Sequence, residues 1–109
     1  MNNMKNEILL KAIDAIIEIK NFTNQNPDKK FYIGKTNDFQ RREREHLEEG
    51  YKTFKVIATS SNYEDINELE QTLIKFSRIF YKELLENIGN GGEGNVADSP
   101  IYYIYLISK

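Results

Sequence analysis

Four side chains between residues 32 and 46 have the types and the spacing needed to act on a phosphodiester bond. Hydrolysis of such a bond requires an activated water, positive charge at the scissile phosphate and a stabilised leaving oxygen. Tyr32 and Lys35 belong to a short predicted strand, and Arg42 and His46 lie four residues apart on one face of the helix predicted after it. A phenol, two cations and an imidazole therefore converge at one strand-to-helix turn, which predicts a site for phosphoryl chemistry.

The same part of the chain is locally basic. Residues 29–46 contain six Lys or Arg against three Asp or Glu, a local balance of +3 on a chain whose net charge is −2. The basic members are Lys29, Lys30, Lys35, Arg41, Arg42 and Arg44, and the acidic members are Asp38, Glu43 and Glu45. Binding of nucleic acid depends largely on such positive charge. The alternative for this basic region is the solvated face of a charged helix, the commoner use of such a run.

Composition limits the possible functions. A chain of 109 residues has room for one domain, residues 1–109, and one hydrophobic core. It contains no cysteine, which excludes disulfides, thiolate nucleophiles and cysteine zinc sites. We expect no membrane association, because no apolar run approaches the roughly 20 residues needed to span a bilayer. The first 20 residues also contain acidic side chains, unlike a signal peptide, and we expect a cytoplasmic protein.

Hydrophobic periodicity predicts the elements in the first half of the chain. Residues 4–20 repeat apolar side chains at helical spacing and predict an amphipathic N-terminal helix. Residues 30–34 predict a short strand that ends in glycine. Asn37 and Gln40 have the spacing of a capping box, which predicts a helix over residues 38–49 that stops at Gly50.

The second half predicts two more strands around a long helix. Residues 53–59 and 101–107 are rich in β-branched and aromatic side chains and predict strands. Asp65 and Glu68 form another capping box, and the apolar period that follows predicts a helix that ends near Gly89, before a glycine-rich loop. The expected fold is α+β, with a small antiparallel three-stranded sheet flanked by helices and an amphipathic helix at the N-terminus.

Two motifs resemble those of the GIY-YIG nuclease family. A strand in that family ends in Tyr-Ile-Gly, and an arginine follows ten residues after the tyrosine, as Tyr32-Ile33-Gly34 and Arg42 do here; His46 matches a frequent histidine four residues later. The family also carries its metal-binding glutamate in a pattern matched here by Leu69-Glu70-x-x-Leu73-Ile74-Lys75. The two motifs agree with the family in order as well as in sequence.

The resemblance implies an endonuclease that cuts DNA, with RNA left open, and leaves 5′-phosphate and 3′-hydroxyl ends. It implies one divalent cation, Mg²⁺ or another such as Mn²⁺, held by Glu70 with water and phosphate oxygens. Arg42 would stabilise the phosphate and Tyr32 would bind phosphate or water. The family's asparagine is matched by Asn87, with Asn90 as second choice.

One family motif, a Gly-Ile-Tyr strand ahead of Tyr32, is absent. In one interpretation the chain is circularly permuted, and the C-terminal strand over residues 101–107 supplies the missing strand, with Tyr102 as the tyrosine that orients or deprotonates the attacking water. In the other, residues 16–22 form a degenerate first strand. We favour permutation, because residues 16–22 already have a helical period. A variant inserts the C-terminal strand into a second copy and gives a strand-exchanged homodimer.

Each candidate residue also has a non-catalytic interpretation. Lys35 could be solvated, His46 could be structural, Asn87 could cap the loop, and Tyr102 could pack in a strand. At the level of the whole protein, the alternative is a weak or inactive GIY-YIG-like module that binds nucleic acid or a protein. The net negative charge and the absent motif motivate that alternative.

Overall fold

Three helices and three strands make up the structure, a computed structural model that describes residues 6–89, 91 and 96–109. The elements in chain order are α1 (Asn6–Gln25), β1 (Tyr32–Thr36), α2 (Phe39–Glu48), β2 (Thr53–Ser60), α3 (Tyr63–Phe80) and β3 (Tyr102–Ser108). The α+β class, the antiparallel three-stranded sheet and the N-terminal helix are confirmed. The described helices include none that is long and apolar enough to cross a membrane.

The C-terminal strand lies in the middle of the sheet. The strand order is β1-β3-β2, and β3 is antiparallel to both neighbours. Central strands bury both faces, and six of the seven residues of β3 are buried. Because β3 pairs with β1 and β2 of its own chain, the sheet is complete without strand exchange. The interpretation of residues 16–22 as a first strand is wrong, since they lie within α1.

The two faces of the sheet carry different helices. α1 and α3 pack on one face and enclose the hydrophobic core, to which β1 and β3 contribute Ile33, Ile104 and Leu106. α2 packs on the opposite face, where its His46 contacts Tyr105 of β3. Successive residues of a strand point to opposite faces, so a side chain's position in the register decides which helix it meets.

Both predicted capping residues are corrected by the structure. The N-cap of α2 is Asp38, whose side chain accepts a hydrogen bond from the Arg41 N–H, and not its neighbour Asn37. The N-cap of α3 is Asn62, three residues before the predicted Asp65. Each helix start contains two Asx residues that could serve as the cap, and the apolar period alone does not decide between them. The predicted stop of α2 is confirmed at Gly50, which adopts a φ of 98°.

α3 ends at Phe80, nine residues before the predicted end near Gly89. The chain then turns and runs beside β1, where the Phe31 N–H donates to the Leu84 carbonyl at 2.9 Å and the Glu86 N–H donates to the Phe31 carbonyl at 2.8 Å. These bonds extend the pairing to Phe31, the residue before β1, and Leu84 packs against the core without belonging to a helix. Asn90 and most of the glycine-rich loop lie outside the described residues.

Candidate active site

A buried phenol holds the arginine that the sequence singled out. Arg42 and His46 project from successive turns of α2 toward Tyr105 of β3. The Arg42 Nη2 donates to the Tyr105 Oη at 3.3 Å, and the His46 Nε2 lies 3.2 Å from the same oxygen. Because a guanidinium is only a donor, the phenol proton is directed to the His46 Nε2. The guanidinium is thereby fixed at the edge of the sheet.

His46 is itself held by Glu49. The Nδ1 atom of His46 lies 2.8 Å from the Glu49 Oε1, and this contact assigns the ring proton to Nδ1 when Nε2 accepts from Tyr105. The ring is buried, with Phe54 stacked beside it at 6.2 Å between centroids. Glu49, His46, Tyr105 and Arg42 therefore form one chain of hydrogen bonds. In this series of hydrogen bonds, His46 positions the Tyr105 hydroxyl.

Tyr102, the tyrosine expected to act on water, does not make this contact. Its hydroxyl accepts a hydrogen bond from the Ser99 N–H at 3.1 Å, and its ring packs edge-on against Tyr63 in the core. Tyr102 and Tyr105 are three residues apart, so they face opposite sides of the sheet. The register of β3 beside β1 thus presents Tyr105, and not Tyr102, to Arg42.

Glu70 is buried and not a solvated helix carboxylate. It lies in the buried stripe of α3, among Ile66, Leu69, Leu73 and Ile74. The Lys35 Nζ lies 3.3 Å from the Glu70 Oε1, and the two side chains are only 6% and 9% exposed. A buried carboxylate requires such a partner, because an unpaired charge is costly away from water. Lys35 is accordingly an ion-pair partner and not a solvated side chain.

The two residues of this ion pair line two different cavities. The first cavity, of about 450 Å³, is lined by Ile74, Ile88 and two glycines as well as by the polar residues Tyr32, Glu70, Glu86 and Asn87. The second cavity, of about 390 Å³, is lined by residues that include Lys35, Arg41 and Arg42. Since Glu70 belongs to the first wall and Lys35 to the second, the pair joins the two cavities. Sequence reasoning missed Glu86, Arg41 and Tyr105 as members of the site.

Asn87 binds the backbone of β1 with both ends of its amide. Its Oδ1 accepts from the Ile33 N–H and its Nδ2 donates to the Ile33 carbonyl, both at 2.8 Å. The side chain acts as a short extension of the sheet along the β1 edge. Asn87 therefore positions β1 and also forms part of the wall of the first cavity.

Burial keeps both phenols of the site protonated well into the alkaline range. Burial raises the pKa of Tyr105, against the lowering effect of the Arg42 guanidinium, and Glu70 raises it further. Burial also raises the pKa of Tyr32, with Tyr105 and Glu70 adding to the rise and Arg42 opposing it. Each phenol is thus a neutral hydrogen-bonding group near neutral pH.

The first cavity offers oxygen ligands to a divalent cation. Glu70 and Glu86 supply carboxylates, although one Glu70 oxygen is engaged by Lys35. Among the described residues, no group of three or more His, Cys, Asp or Glu could hold a metal ion. The donor set suits a Mg²⁺ that keeps most of its water, and does not suit a fully protein-ligated ion.

Comparison of the chain with protein-family models, with curated proteins and with solved structures finds no match. The evidence for function consists of the two sequence motifs and the geometry of the site.

Proposed function

We propose that the chain is a metal-dependent endonuclease that hydrolyses phosphodiester bonds of DNA, with Tyr32, Arg42 and Glu70 as its reacting groups. The observation that carries the proposal is a fixed guanidinium and a buried carboxylate in the walls of two cavities that one ion pair joins. These are the cation and the metal ligand that hydrolysis of a phosphodiester requires. The resemblance of both motifs to the GIY-YIG family supports the same class.

The positions of Arg42, Tyr32 and Glu70 suit them to different roles in the reaction. Arg42, held by Tyr105, binds the scissile phosphate and meets the charge that develops on it, a task suited to a planar and permanently charged group. Tyr32, whose pKa is raised by burial, would bind phosphate or orient the attacking water by a hydrogen bond. Glu70 would hold the divalent cation, which when bound acidifies water and neutralises phosphate charge.

Nicking of a supercoiled plasmid in Mg²⁺ tests this assignment. We expect Arg42→Gln and Glu70→Gln each to slow nicking by about a hundredfold or more, the usual cost of removing one group that stabilises a transition state. Arg44→Gln and Glu68→Gln are matched controls, because each removes the same charge from the same helix without entering the described cavity walls. Undiminished nicking by both site variants would show that the reaction takes place elsewhere.

A second candidate is a module that binds nucleic acid or a protein without cutting. The Lys35–Glu70 ion pair favours it, because an ammonium already neutralises the carboxylate that would hold the metal. The two candidates separate in one experiment. Absence of cleavage by the parent protein on single-stranded, duplex and RNA substrates in Mg²⁺ or Mn²⁺ would support the binding module.

The oligomeric state of the proposed enzyme determines whether it cuts one or both strands of a DNA duplex in a single event. One site hydrolyses one strand at a time, so a double-strand break requires a homodimer or two successive nicks. Light scattering beside the nicking assay distinguishes these routes. A cytoplasmic location is part of the same proposal.

A further inference from the structure

The second cavity is lined by three cationic side chains, and one of them has no role in the proposed chemistry. Lys35, Arg41 and Arg42 contribute positive charge to its wall, Thr36 and Asn37 contribute polar groups, and none of its described lining residues is acidic. Arg42 is assigned to the scissile phosphate. Arg41, the residue before it in α2, is not used by that step.

The Glu45 carboxylate forms ion pairs with the guanidinium groups of both Arg41 and Arg42. The Arg41 Nη1 lies 3.1 Å from the Glu45 Oε2, and the Arg42 Nη1 lies 2.8 Å from the Glu45 Oε1. The Arg42 hydrogen bond, with both arginine charges, holds the pKa of Glu45 below its usual range, so the group is an anion at neutral pH. The Glu45 carboxylate therefore shows the kind of oxyanion that Arg41 and Arg42 bind together.

Exchange of Glu45 for an external anion costs little. The side chains of Arg41 and Glu45 are 46% and 41% exposed, and ion pairs with that exposure contribute little to stability. Arginine binds phosphate in the same forked geometry in which it binds carboxylate. Asp38, 3.9 Å from the Arg41 Nε, is similarly exposed. A phosphate that reaches the cavity thus finds two oriented donors whose shared partner, Glu45, is easily displaced.

We propose that the second cavity binds a backbone phosphate of the nucleic acid next to the scissile one, with Arg41 as its principal ligand. The inference rests on the proposed function, since it assumes that Arg42 contacts the scissile phosphate. In this arrangement the nucleic-acid strand crosses the edge of β1 from one cavity to the other. Arg41 fixes the register of the strand, and Glu45 competes with the phosphate for both arginines.

Equilibrium binding of a short fluorescein-labelled DNA duplex, measured by anisotropy in EDTA over a series of salt concentrations, tests the phosphate site without cleavage. We expect Arg41→Gln to weaken binding about tenfold, the effect of losing one charged hydrogen bond. The slope of log affinity against log salt should fall by about 0.9, the value for one phosphate contact on duplex DNA. Arg44→Gln, an exposed arginine of the same helix, is the matched control and should change binding less than Arg41→Gln does.

Glu45→Gln gives a test with the opposite sign. Removal of the competing carboxylate should tighten binding about threefold, in line with the small energy of an exposed ion pair. Equal weakening by Arg41→Gln and Arg44→Gln, or weaker binding by Glu45→Gln, would overturn the phosphate site. These results do not depend on cleavage, so loss of the proposed nuclease activity and loss of the phosphate site are distinguishable.

Discussion

The Tyr105 phenol lies directly over Gly34 on the neighbouring strand. The two residues are register partners, and a Cβ at Gly34 would lie 2.5 Å from the Tyr105 Cζ. Gly34 has no positive φ, unlike Gly50 and Gly91, so the backbone does not require glycine there. The glycine of the Tyr-Ile-Gly motif is needed because it leaves room for the phenol that holds Arg42.

Gly34→Ala should destabilise the fold and displace Tyr105. Overpacking of a close contact typically costs about 1–3 kcal/mol, and urea unfolding measures it. Gly50→Ala is the control, because its φ of 98° is strained for alanine but no atom lies within 4 Å of the added Cβ. Both variants should lose stability, but only Gly34→Ala should change the ultraviolet absorbance of the buried phenol. An unchanged Tyr105 absorbance in Gly34→Ala would contradict the contact.

Arg42→Gln should raise the pKa of Tyr105. Burial raises that pKa above the usual value near 10 and Arg42 opposes the rise, so removal of the guanidinium leaves the upward effect unopposed. Because the folded pKa is raised, the associated stability is complete below the unfolded pKa and is lost as the pH rises through the folded pKa. Phenolate absorbance of each protein, minus that of its Tyr105→Phe variant, gives the midpoint. A lower midpoint in Arg42→Gln is the contrary result.

Glu49→Ala should release the His46 ring from its present tautomer. The Glu49 Oε1 accepts from the Nδ1 of His46, and this bond leaves Nε2 as the acceptor for the Tyr105 hydroxyl. Nitrogen chemical shifts of the neutral ring should therefore show less Nδ1–H form in Glu49→Ala. Glu48→Ala, the preceding exposed glutamate of α2, should not alter the shifts, and equal changes in both variants would argue against the hydrogen-bond chain.

Local sequence patterns predicted the elements but not the register. The hydrophobic period predicted α1, and the capping-box spacing with Gly50 predicted α2. Runs of aromatic and β-branched residues predicted the strands, because all of these signals lie within a few residues. Whether Tyr102 or Tyr105 meets Arg42 depends instead on how β3 aligns with β1, where the register partners Gly34 and Tyr105 lie 71 residues apart in the chain. A shift of one residue in register moves every side chain to the other face. Gly34 was the available signal, since a glycine within a strand leaves room for a large side chain on the neighbouring strand.

The end of α3 was mispredicted for a related reason. The apolar period continues to Leu84, but the edge of β1 needs hydrogen-bond partners, and residues 84–87 supply them. The backbone groups at the β1 edge need hydrogen-bond partners, and this need overrides the local helical preference of the residues that supply them. The ion pair of Lys35 with Glu70 likewise could not be predicted from local sequence patterns, because Lys35 lies on β1 and Glu70 on α3.

Asn87→Ala should expose the edge of β1. The substitution removes both hydrogen bonds to Ile33, each worth about 0.5–1.5 kcal/mol net. Hydrogen exchange at the Ile33 amide should accelerate. Asn87→Asp is the sharper comparison, because its carboxylate can still accept from the Ile33 N–H but repels the Ile33 carbonyl. Unchanged Ile33 exchange in Asn87→Ala would show that the amide does not support the strand.

Lys35→Met should weaken the apo protein and increase its response to a divalent cation. The change leaves the buried Glu70 without its ammonium partner, and breaking such a pair costs about 3–5 kcal/mol. A cation at Glu70 would replace the lost charge, and any ligand that binds only the folded state raises its stability. Thermal unfolding with and without Mn²⁺ should therefore show a larger increase in Tm for Lys35→Met than for the parent. The Lys35→Met, Glu70→Gln double variant should lose this increase, because the carboxylate is gone while the apolar substitution is kept. An equal Mn²⁺ response in the single and double variants would exclude Glu70 as the metal ligand.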